Sequence, residues 1–250
     1  MLTARKSGWF ERVFAIYNRS LIARRFEGLR VAGLEHLRER EQDVPLLLYA
    51  NHSSWWDGLA AFQLGHVCGL EQYAMMEERQ LREYPFHRKL GAFGVVRENA
   101  REAVRSIEYA GGLLKKTGRT LWIFPQGLTL PNDVRPLLLY AGAARIVERV
   151  GLADTAPVAI RYEFLEDYRP EALVRVGPVS RVAVEENFSA KQLTGIFTER
   201  LTNALDAVRA DIIAGDLDGY EEIVAPRRRR KAARRMAARR LSSETSNRRG

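Results

Sequence analysis

Two side chains that could move a proton together lie five positions apart in "NHSSWWD" (51–57), namely His52 and Asp57. A carboxylate that binds one imidazole nitrogen fixes the tautomer of the ring, and it stabilises the cation that forms when the other nitrogen takes a proton. Such a pair acts as a general base on a hydroxyl group, and no serine nucleophile is needed if the acceptor brings the hydroxyl. The alternative interpretation is a histidine that satisfies polar groups in a buried turn.

The position of this pair follows from helix geometry. Five residues along one α-helix rotate the chain by roughly 500°, which leaves two side chains roughly 140° apart and unable to meet. The apolar run "VPLLLYA" (44–50) predicts a strand that ends just before the pair. We therefore expect His52 in the turn that leaves this strand and Asp57 in the first turn of a helix, with Ser53 or Ser54 as its N-cap. The carboxyl end of a strand in an open α/β sheet is where ligands usually bind.

A second stretch, "LWIFPQGLTLPND" (121–133), predicts a strand that runs into a glycine, which suits a sharp turn or a close approach to a ligand. With "NHSSWWD" it resembles the glycerolipid acyltransferase family, the enzymes related to 1-acylglycerol-3-phosphate acyltransferase. That family carries an Asn-His-x4-Asp motif and, further along, Phe-Pro-Glu-Gly. Between and beyond them it has a glycine-rich stretch ending in Arg and a Pro-Val strand, matched here by "GAFGVVREN" with Arg97 and by "APVAI" (156–160). The four blocks occur in the family's order.

The resemblance implies an acyl transfer in phospholipid biosynthesis. His52 would deprotonate the hydroxyl of a lipid acceptor, which attacks the thioester of acyl-CoA or acyl carrier protein, and Asp57 would orient His52. Backbone amides near Gln126 and Gly127 would hold the acceptor or the developing oxyanion. No metal and no bound cofactor are implied. The substrate-binding residues implied by the motifs are Arg97, Phe124, Pro125, Gln126 and Gly127.

The departures from the family motif concern the acceptor. The family continues Phe-Pro-Glu-Gly-Thr-Arg-Ser, with the Arg placed for a phosphate, whereas this chain has Gln126 and Thr129. Arg97 or Arg135 would have to compensate. Two acceptors therefore stay open: a glycerolipid such as 1-acylglycerol-3-phosphate, and a non-phosphorylated lipid alcohol or glycolipid. A degenerate homologue that binds lipid or nucleic acid without catalysis is the non-enzymatic alternative.

The elements that position these residues alternate between strand and helix, which predicts an α/β domain with a mainly parallel central sheet flanked by helices. Strand patterns occupy 44–50, 71–76, 91–96, 119–124, 155–164 and 172–177, and a short one follows residue 28. Helical patterns occupy 58–66, 99–118, 137–151 and 189–213, the last with Ser189 as a predicted N-cap. We expect an amphipathic N-terminal helix (1–26), an acyltransferase domain (27–225) and a disordered basic tail (226–250).

Charge is concentrated at one end of the chain. Residues 227–250 hold 11 of the 40 Lys and Arg and 1 of the 31 acids, so the first 226 residues carry 29 basic and 30 acidic side chains. A polybasic segment is attracted to anionic lipid headgroups. We expect no nucleic-acid partner, because the body is not basic and no recognition motif accompanies the tail.

The N-terminal helix and the single cysteine bear on location. Trp9, Val13 and Tyr17 belong to one apolar helix face flanked by arginines, so the helix either lies in the headgroup region of an anionic membrane, packs on the domain, or does both. Cys68 alone cannot form an internal disulfide, and no apolar run reaches eighteen residues. We therefore expect a cytoplasmic protein, peripheral on the inner face of the membrane.

Overall fold

The central feature of the computed structural model is a mostly parallel sheet. The structure describes residues 1–183 and 188–228. Within these ranges the sheet has nine strands: β1 (Gly28–Ala32), β2 (Leu46–Ala50), β3 (Gln72–Glu77), β4 (Ala92–Val95), β5 (Thr120–Ile123), β6 (Leu152–Glu163), β7 (Glu171–Val176), β8 (Ser180–Ala183) and β9 (Glu221–Val224). Eight of them lie side by side in the order β4-β3-β5-β2-β6-β7-β1-β9, and β8 pairs with β6. Five pairings are parallel, and those of β6 with β7, β6 with β8 and β1 with β9 are antiparallel. The predicted fold class is confirmed.

Helices cover both faces of the sheet: α1 (Gly8–Arg25), α2 (Glu35–Arg38), α3 (Asp57–Val67), α4 (Glu78–Glu83), α5 (Ala100–Leu114), α6 (Gly142–Val150) and α7 (Ala190–Ala214), with a 3-10 turn at Pro85–Leu90. The cores show that α5, α6 and α7 pack on one face and that α1 and α3 pack on the other. Every residue of β2 and β5 is buried. A strand covered on both faces has no reason to alternate polar and apolar residues, which explains the continuous apolar run of β2.

Several boundaries differ from the sequence prediction. The helix expected over 137–151 begins only at Gly142, and the helix expected to stop at Gly118 ends at Leu114. The strands β8 and β9 were not predicted, because each is four residues long and half exposed, and so lacks an apolar run. The tail predicted as disordered falls, from residue 229 onward, outside the described residues.

The N-terminal helix is docked on the domain by one of its sides. The Asn18 side chain is buried and donates to the Leu59 carbonyl at 2.9 Å and to Gln63 Oε1 at 3.2 Å, both on α3. The Phe14 ring meets the Phe62 ring edge-on, at 5.1 Å between centroids. The other side of α1 stays exposed, so the helix packs on the domain without burying all of its apolar residues. No helix in the described residues is long and apolar enough to cross a bilayer.

Candidate functional site

Three of the sequence motifs meet at the carboxyl edge of the parallel strands. His52 follows β2 by two residues, Phe124 follows β5 directly, and Arg97 follows β4 by two residues. Since β2, β3, β4 and β5 pair in parallel, their carboxyl ends lie at one edge of the sheet. The topology therefore collects residues that are far apart in the sequence.

The predicted contact between His52 and Asp57 is confirmed. Nδ1 of His52 lies 2.8 Å from Oδ2 of Asp57. His52 is in the turn after β2, and Asp57 is the first residue of α3, as helix geometry requires. The Asp57 side chain is fully buried, whereas 27% of the His52 side chain is exposed. A carboxylate only accepts hydrogen bonds, so Nδ1 carries the proton and Nε2 is left as the basic nitrogen.

Four donors converge on the Asp57 carboxylate. Besides His52, Oδ2 accepts from the backbone N–H groups of Ser53 at 2.6 Å and Ser54 at 2.8 Å, and Oδ1 accepts from the Tyr162 hydroxyl at 2.8 Å. Burial, together with the charge and hydrogen bond of Asp57, raises the pKa of the Tyr162 hydroxyl well above its usual value. The phenol therefore stays protonated and remains a donor. This environment suits an acceptor-only group and holds it in one orientation.

The expected helix cap is different from the observed one. Trp56, with no side-chain capping bond, precedes the helix, so the prediction of Ser53 or Ser54 as N-cap is wrong. The Asp57 carboxylate reaches back to the N–H groups of both serines instead. A carboxylate at a helix N-terminus is also favoured by the helix dipole. The same atoms thus close the turn and orient the imidazole.

Gln126 is a structural partner of His52. Its buried Oε1 accepts from the backbone N–H of His52 at 2.8 Å, and the His52 carbonyl accepts from the Leu130 N–H at 2.8 Å. The loop after β5 therefore holds the backbone of His52 from both sides. The amide oxygen at position 126 accepts this bond as a carboxylate oxygen would, so the Glu-to-Gln departure preserves the contact.

The remaining residues of the "FPQG" segment lie close to the imidazole. The Phe124 ring centroid is 5.0 Å from that of His52. The buried Pro125 accepts a bond from the Tyr140 N–H through its carbonyl at 2.8 Å. The Gly127 N–H donates to the Phe124 carbonyl at 3.1 Å, so this amide already has an acceptor in the turn. The role in holding a substrate oxygen stays a prediction for the Gln126 N–H.

Arg97 lies across the backbone of Gly127. A Cβ at Gly127 would stand 2.0 Å from Nη1 of Arg97 and 2.9 Å from the Tyr140 ring. The guanidinium carbon is 5.7 Å from the centroid of that ring, and Nη2 lies 3.5 Å from Oε2 of Glu77. The absence of a side chain at position 127 is thus what lets Arg97 reach the loop beside His52.

The Gly127→Ala variant should lower the free energy of unfolding by about 1–3 kcal/mol. Its φ of +68° is strained for any residue with a side chain, and the added methyl group collides with Arg97. Urea denaturation at equilibrium measures the change.

Two further variants separate strain from collision. Gly58→Ala is the matched control, because a Cβ there meets nothing within 4 Å and the helix favours alanine, so its stability should stay equal or rise. In an Arg97→Ala background the Gly127→Ala change should lower the free energy of unfolding by less than it does in the unchanged protein. An equal loss in both backgrounds would contradict the proposed collision.

Two positions at the site had no role predicted from the sequence. The buried Asn51 donates to Asn132 Oδ1 and to the Ile160 carbonyl, both at 2.8 Å, and accepts from the Ile160 N–H at 2.7 Å. It thereby ties the end of β2 to β6. Asn51 belongs to the motif and was quoted with it. Tyr162 lies 105 residues from its partner Asp57, and no local pattern marks it.

The Tyr162 ring continues into the apolar interior. It lies 5.4 Å from the Phe26 ring, which meets the Trp56 ring edge-on at 4.9 Å. These three rings line a narrow apolar crevice that is too tight to hold a water molecule. The Asp57 carboxylate is therefore backed by hydrocarbon.

No metal centre is present in the part of the chain that the structure describes, where no group of three or more His, Cys, Asp or Glu is arranged to hold an ion. The arrangement at His52 combines an imidazole with its buried carboxylate partner, and Arg97 lies beside Gly127 in the adjoining loop. These groups can deprotonate a hydroxyl at an accessible position.

Comparison with known proteins gives consistent matches. The family model described as Acyltransferase matches residues 28–161. The chain is 27% identical over 184 residues to a 1-acyl-sn-glycerol-3-phosphate acyltransferase of Streptococcus pneumoniae, covering 71% of this chain and 62% of that protein. It is 30% identical over 170 residues to a lyso-ornithine lipid O-acyltransferase of Brucella abortus, covering 63% of this chain and 58% of that protein. The chain thus spans less than two thirds of the length of these curated relatives.

Proposed function

Because this chain belongs to the Acyltransferase family, we propose that it transfers a fatty acyl group from a thioester donor, acyl-CoA or acyl carrier protein, to the hydroxyl of a lipid. The observation that carries the proposal is the bond from His52 Nδ1 to the buried Asp57 carboxylate, which leaves Nε2 as the base. This intact pair favours an enzyme over a degenerate homologue that only binds lipid or nucleic acid.

The proposed reaction follows from this protonation state. Nε2 of His52 takes the proton of the acceptor hydroxyl while the oxygen attacks the thioester carbonyl carbon. Asp57 stabilises the imidazolium that forms. The tetrahedral intermediate then collapses, the C–S bond breaks, and the imidazolium returns the proton to the departing thiolate. The products are the lipid ester and the free thiol of the donor, and the base is regenerated.

The acceptor is proposed to be a lysolipid. The charges around the site distinguish lysolipids that carry a phosphomonoester from those that do not. A phosphomonoester such as that of 1-acylglycerol-3-phosphate needs a cation to pair with. Three arginines lie on the loops and strands that also carry site residues, and each is already paired with a carboxylate: Arg97 with Glu77, Arg135 with Asp206, and Arg161 with Asp133 and Glu163. The earlier expectation that Arg97 or Arg135 compensates for the missing motif arginine therefore requires one of these pairs to break.

These pairs favour the second candidate, an acceptor without a phosphomonoester. Thr129 stands exposed at the position where the family motif places arginine. One of the two relatives is named for lyso-ornithine lipid, an acceptor without a phosphomonoester, and the other is named for 1-acyl-sn-glycerol-3-phosphate, an acceptor that has one.

A direct assay with labelled acyl-CoA and labelled acyl carrier protein tests both the acyl transfer and the choice of acceptor. We expect kcat/KM with lyso-ornithine lipid to exceed that with 1-acylglycerol-3-phosphate by about tenfold or more, the effect of one missing charge-assisted contact. The Thr129→Arg variant should raise the rate with the phosphate acceptor selectively. A product from the phosphate acceptor alone would reject the second candidate, and no ester with any lipid hydroxyl would reject the acyl-transfer proposal.

The site is proposed to work at a membrane surface, since its substrates are lipids. The N-terminal helix offers exposed apolar residues flanked by arginines, and the basic tail offers charge for anionic headgroups. We place the protein on the inner face of the membrane. Most of the tail, residues 229–250, lies outside the described residues.

A further inference from the structure

A second exposed apolar element lies near the site, in the loop between β6 and β7 (residues 164–170), here called the β6–β7 loop. Phe164 is 67% exposed and Tyr168 is 78% exposed, and Leu165 between them is also exposed. Large aromatic side chains of a monomeric protein seldom stand this far into solvent in a cluster unless they contact a partner. The loop follows directly on β6, which carries Tyr162.

This loop is fastened to the carboxyl end of α1. Nη1 of Arg169 donates to the carbonyls of Ala23 at 3.4 Å and Arg24 at 3.2 Å. The Glu27 N–H donates to the Pro170 carbonyl at 2.9 Å. These bonds hold the apolar tips of the loop next to the last turn of α1.

The exposed side of α1 carries its own apolar stripe. Its members, spaced by three and four residues, are between 54% and 74% exposed: Trp9, Val13, Ile16 and Tyr17. This spacing places them along one side of the helix. The stripe and the β6–β7 loop are thus parts of one surface at the α1 side of the domain.

Trp55 connects this surface to the base. Its ring is 68% exposed and meets the Trp56 ring edge-on at 5.4 Å, and Trp56 contacts Phe26 at the end of α1. Trp55 lies three residues after His52 in the chain. A partner bound to this surface through Trp55 would therefore lie close in the chain to the partly exposed His52 side chain.

The charges around the exposed apolar residues indicate what binds this surface. Exposed arginines flank the stripe and its end near the loop: Arg12, Arg19, Arg24 and Arg25. Within the loop, the exposed Glu166 and the half-buried Asp167 lie between the aromatic residues, and Asp167 is paired with Arg228. The four exposed cations along α1, with exposed Trp and Tyr side chains, suit the headgroup region of an anionic bilayer, where indole and phenol groups sit between water and hydrocarbon.

We propose that the β6–β7 loop is a membrane-contacting element, which inserts Phe164 and Tyr168 together with the α1 stripe and Trp55 into an anionic bilayer and turns the partly exposed His52 side chain toward the lipid. The inference rests on the proposed function, because it assumes a lipid substrate, but it assigns a contact that neither the N-terminal helix nor the basic tail provides. Two attachments, at the loop and along α1, fix the orientation of the domain as well as its distance from the membrane.

Vesicle binding of the full chain tests this surface. The double variant Phe164→Ser/Tyr168→Ser should bind vesicles of phosphatidylglycerol and phosphatidylcholine about tenfold more weakly than the unchanged protein, because the apolar contact area is lost. The matched control is Val104→Ser/Ile213→Ser, whose exposed residues lie on α5 and α7 at the opposite face of the sheet, and its binding should stay unchanged. Binding of all three proteins should weaken as salt rises, since the arginines remain.

The outcomes are separable from those of the reaction assay, because vesicle sedimentation needs no acyl transfer. Equal binding of the two double variants would overturn the role of the loop while leaving the proposed reaction untouched. Sedimentation velocity without vesicles tests the other occupant, a second copy of this chain. Self-association that the Phe164→Ser/Tyr168→Ser change abolishes, with vesicle binding unaltered, would replace the bilayer by a protein partner and likewise overturn the proposal.

Discussion

The His52→Ala variant is expected to lose acyl transfer by about 10²–10⁴-fold, the contribution of a positioned general base. Nε2 of His52 is the proposed base, and nothing else at the described site has the same geometry of a partly exposed imidazole on a fully buried carboxylate. The backbone bonds of His52 to Gln126 and Leu130 do not involve its side chain and remain in the variant, so the loss should appear in kcat. Steady-state kinetics with a labelled thioester measures the loss, and a thermal melt checks the fold.

The control for this change is His66→Ala. His66 is exposed near the end of α3, where it stacks on Phe62 with ring centroids 6.2 Å apart. Its replacement removes an imidazole from the same helical region without touching the site, so activity should remain. A His52→Ala protein that keeps full turnover and a normal melt would refute the base.

The Asp57→Asn variant is expected to lower kcat by about 10–100-fold with little change in KM. The amide oxygen can still accept from the N–H groups of Ser53 and Ser54 and from Nδ1 of His52, because these three donors meet one oxygen. The tautomer is thus retained, but the charge that stabilises the imidazolium is gone. Charge-assisted bonds are about twice as strong as neutral ones, and about 1.4 kcal/mol corresponds to tenfold in rate.

Tyr162→Phe provides a graded comparison for this effect. It removes one of the four donors to Asp57 and keeps the ring that packs on Phe26. We expect a smaller loss of kcat than for Asp57→Asn, at unchanged KM, since Tyr162 is a positioning residue that acts through Asp57. A larger loss for Tyr162→Phe, or a loss confined to KM, would contradict this order.

Local spacing was enough to predict the pair at the centre of the site. The apolar run of β2 ends at Ala50, and the offset of five residues excludes a shared helix, so a contact between His52 and Asp57 demanded the observed bend. The alternation of strands and helices likewise predicted the parallel sheet. The pairing of β6 with β7 in antiparallel orientation and the short β8 and β9 escaped prediction because their pairing depends on partners distant in the chain.

The sequence by itself determined the family motifs, the bend that carries His52 and Asp57, and the amphipathic character of α1, because each depends on neighbours within a few residues. Only the tertiary structure decided that Gln126 holds the His52 backbone, that Tyr162 completes the shell of Asp57, and that Arg97 crosses Gly127 beside Glu77. It also decided that the β6–β7 loop lies against the end of α1. These contacts join residues brought together by the order of strands in the sheet, and that order is a property of the whole packed chain.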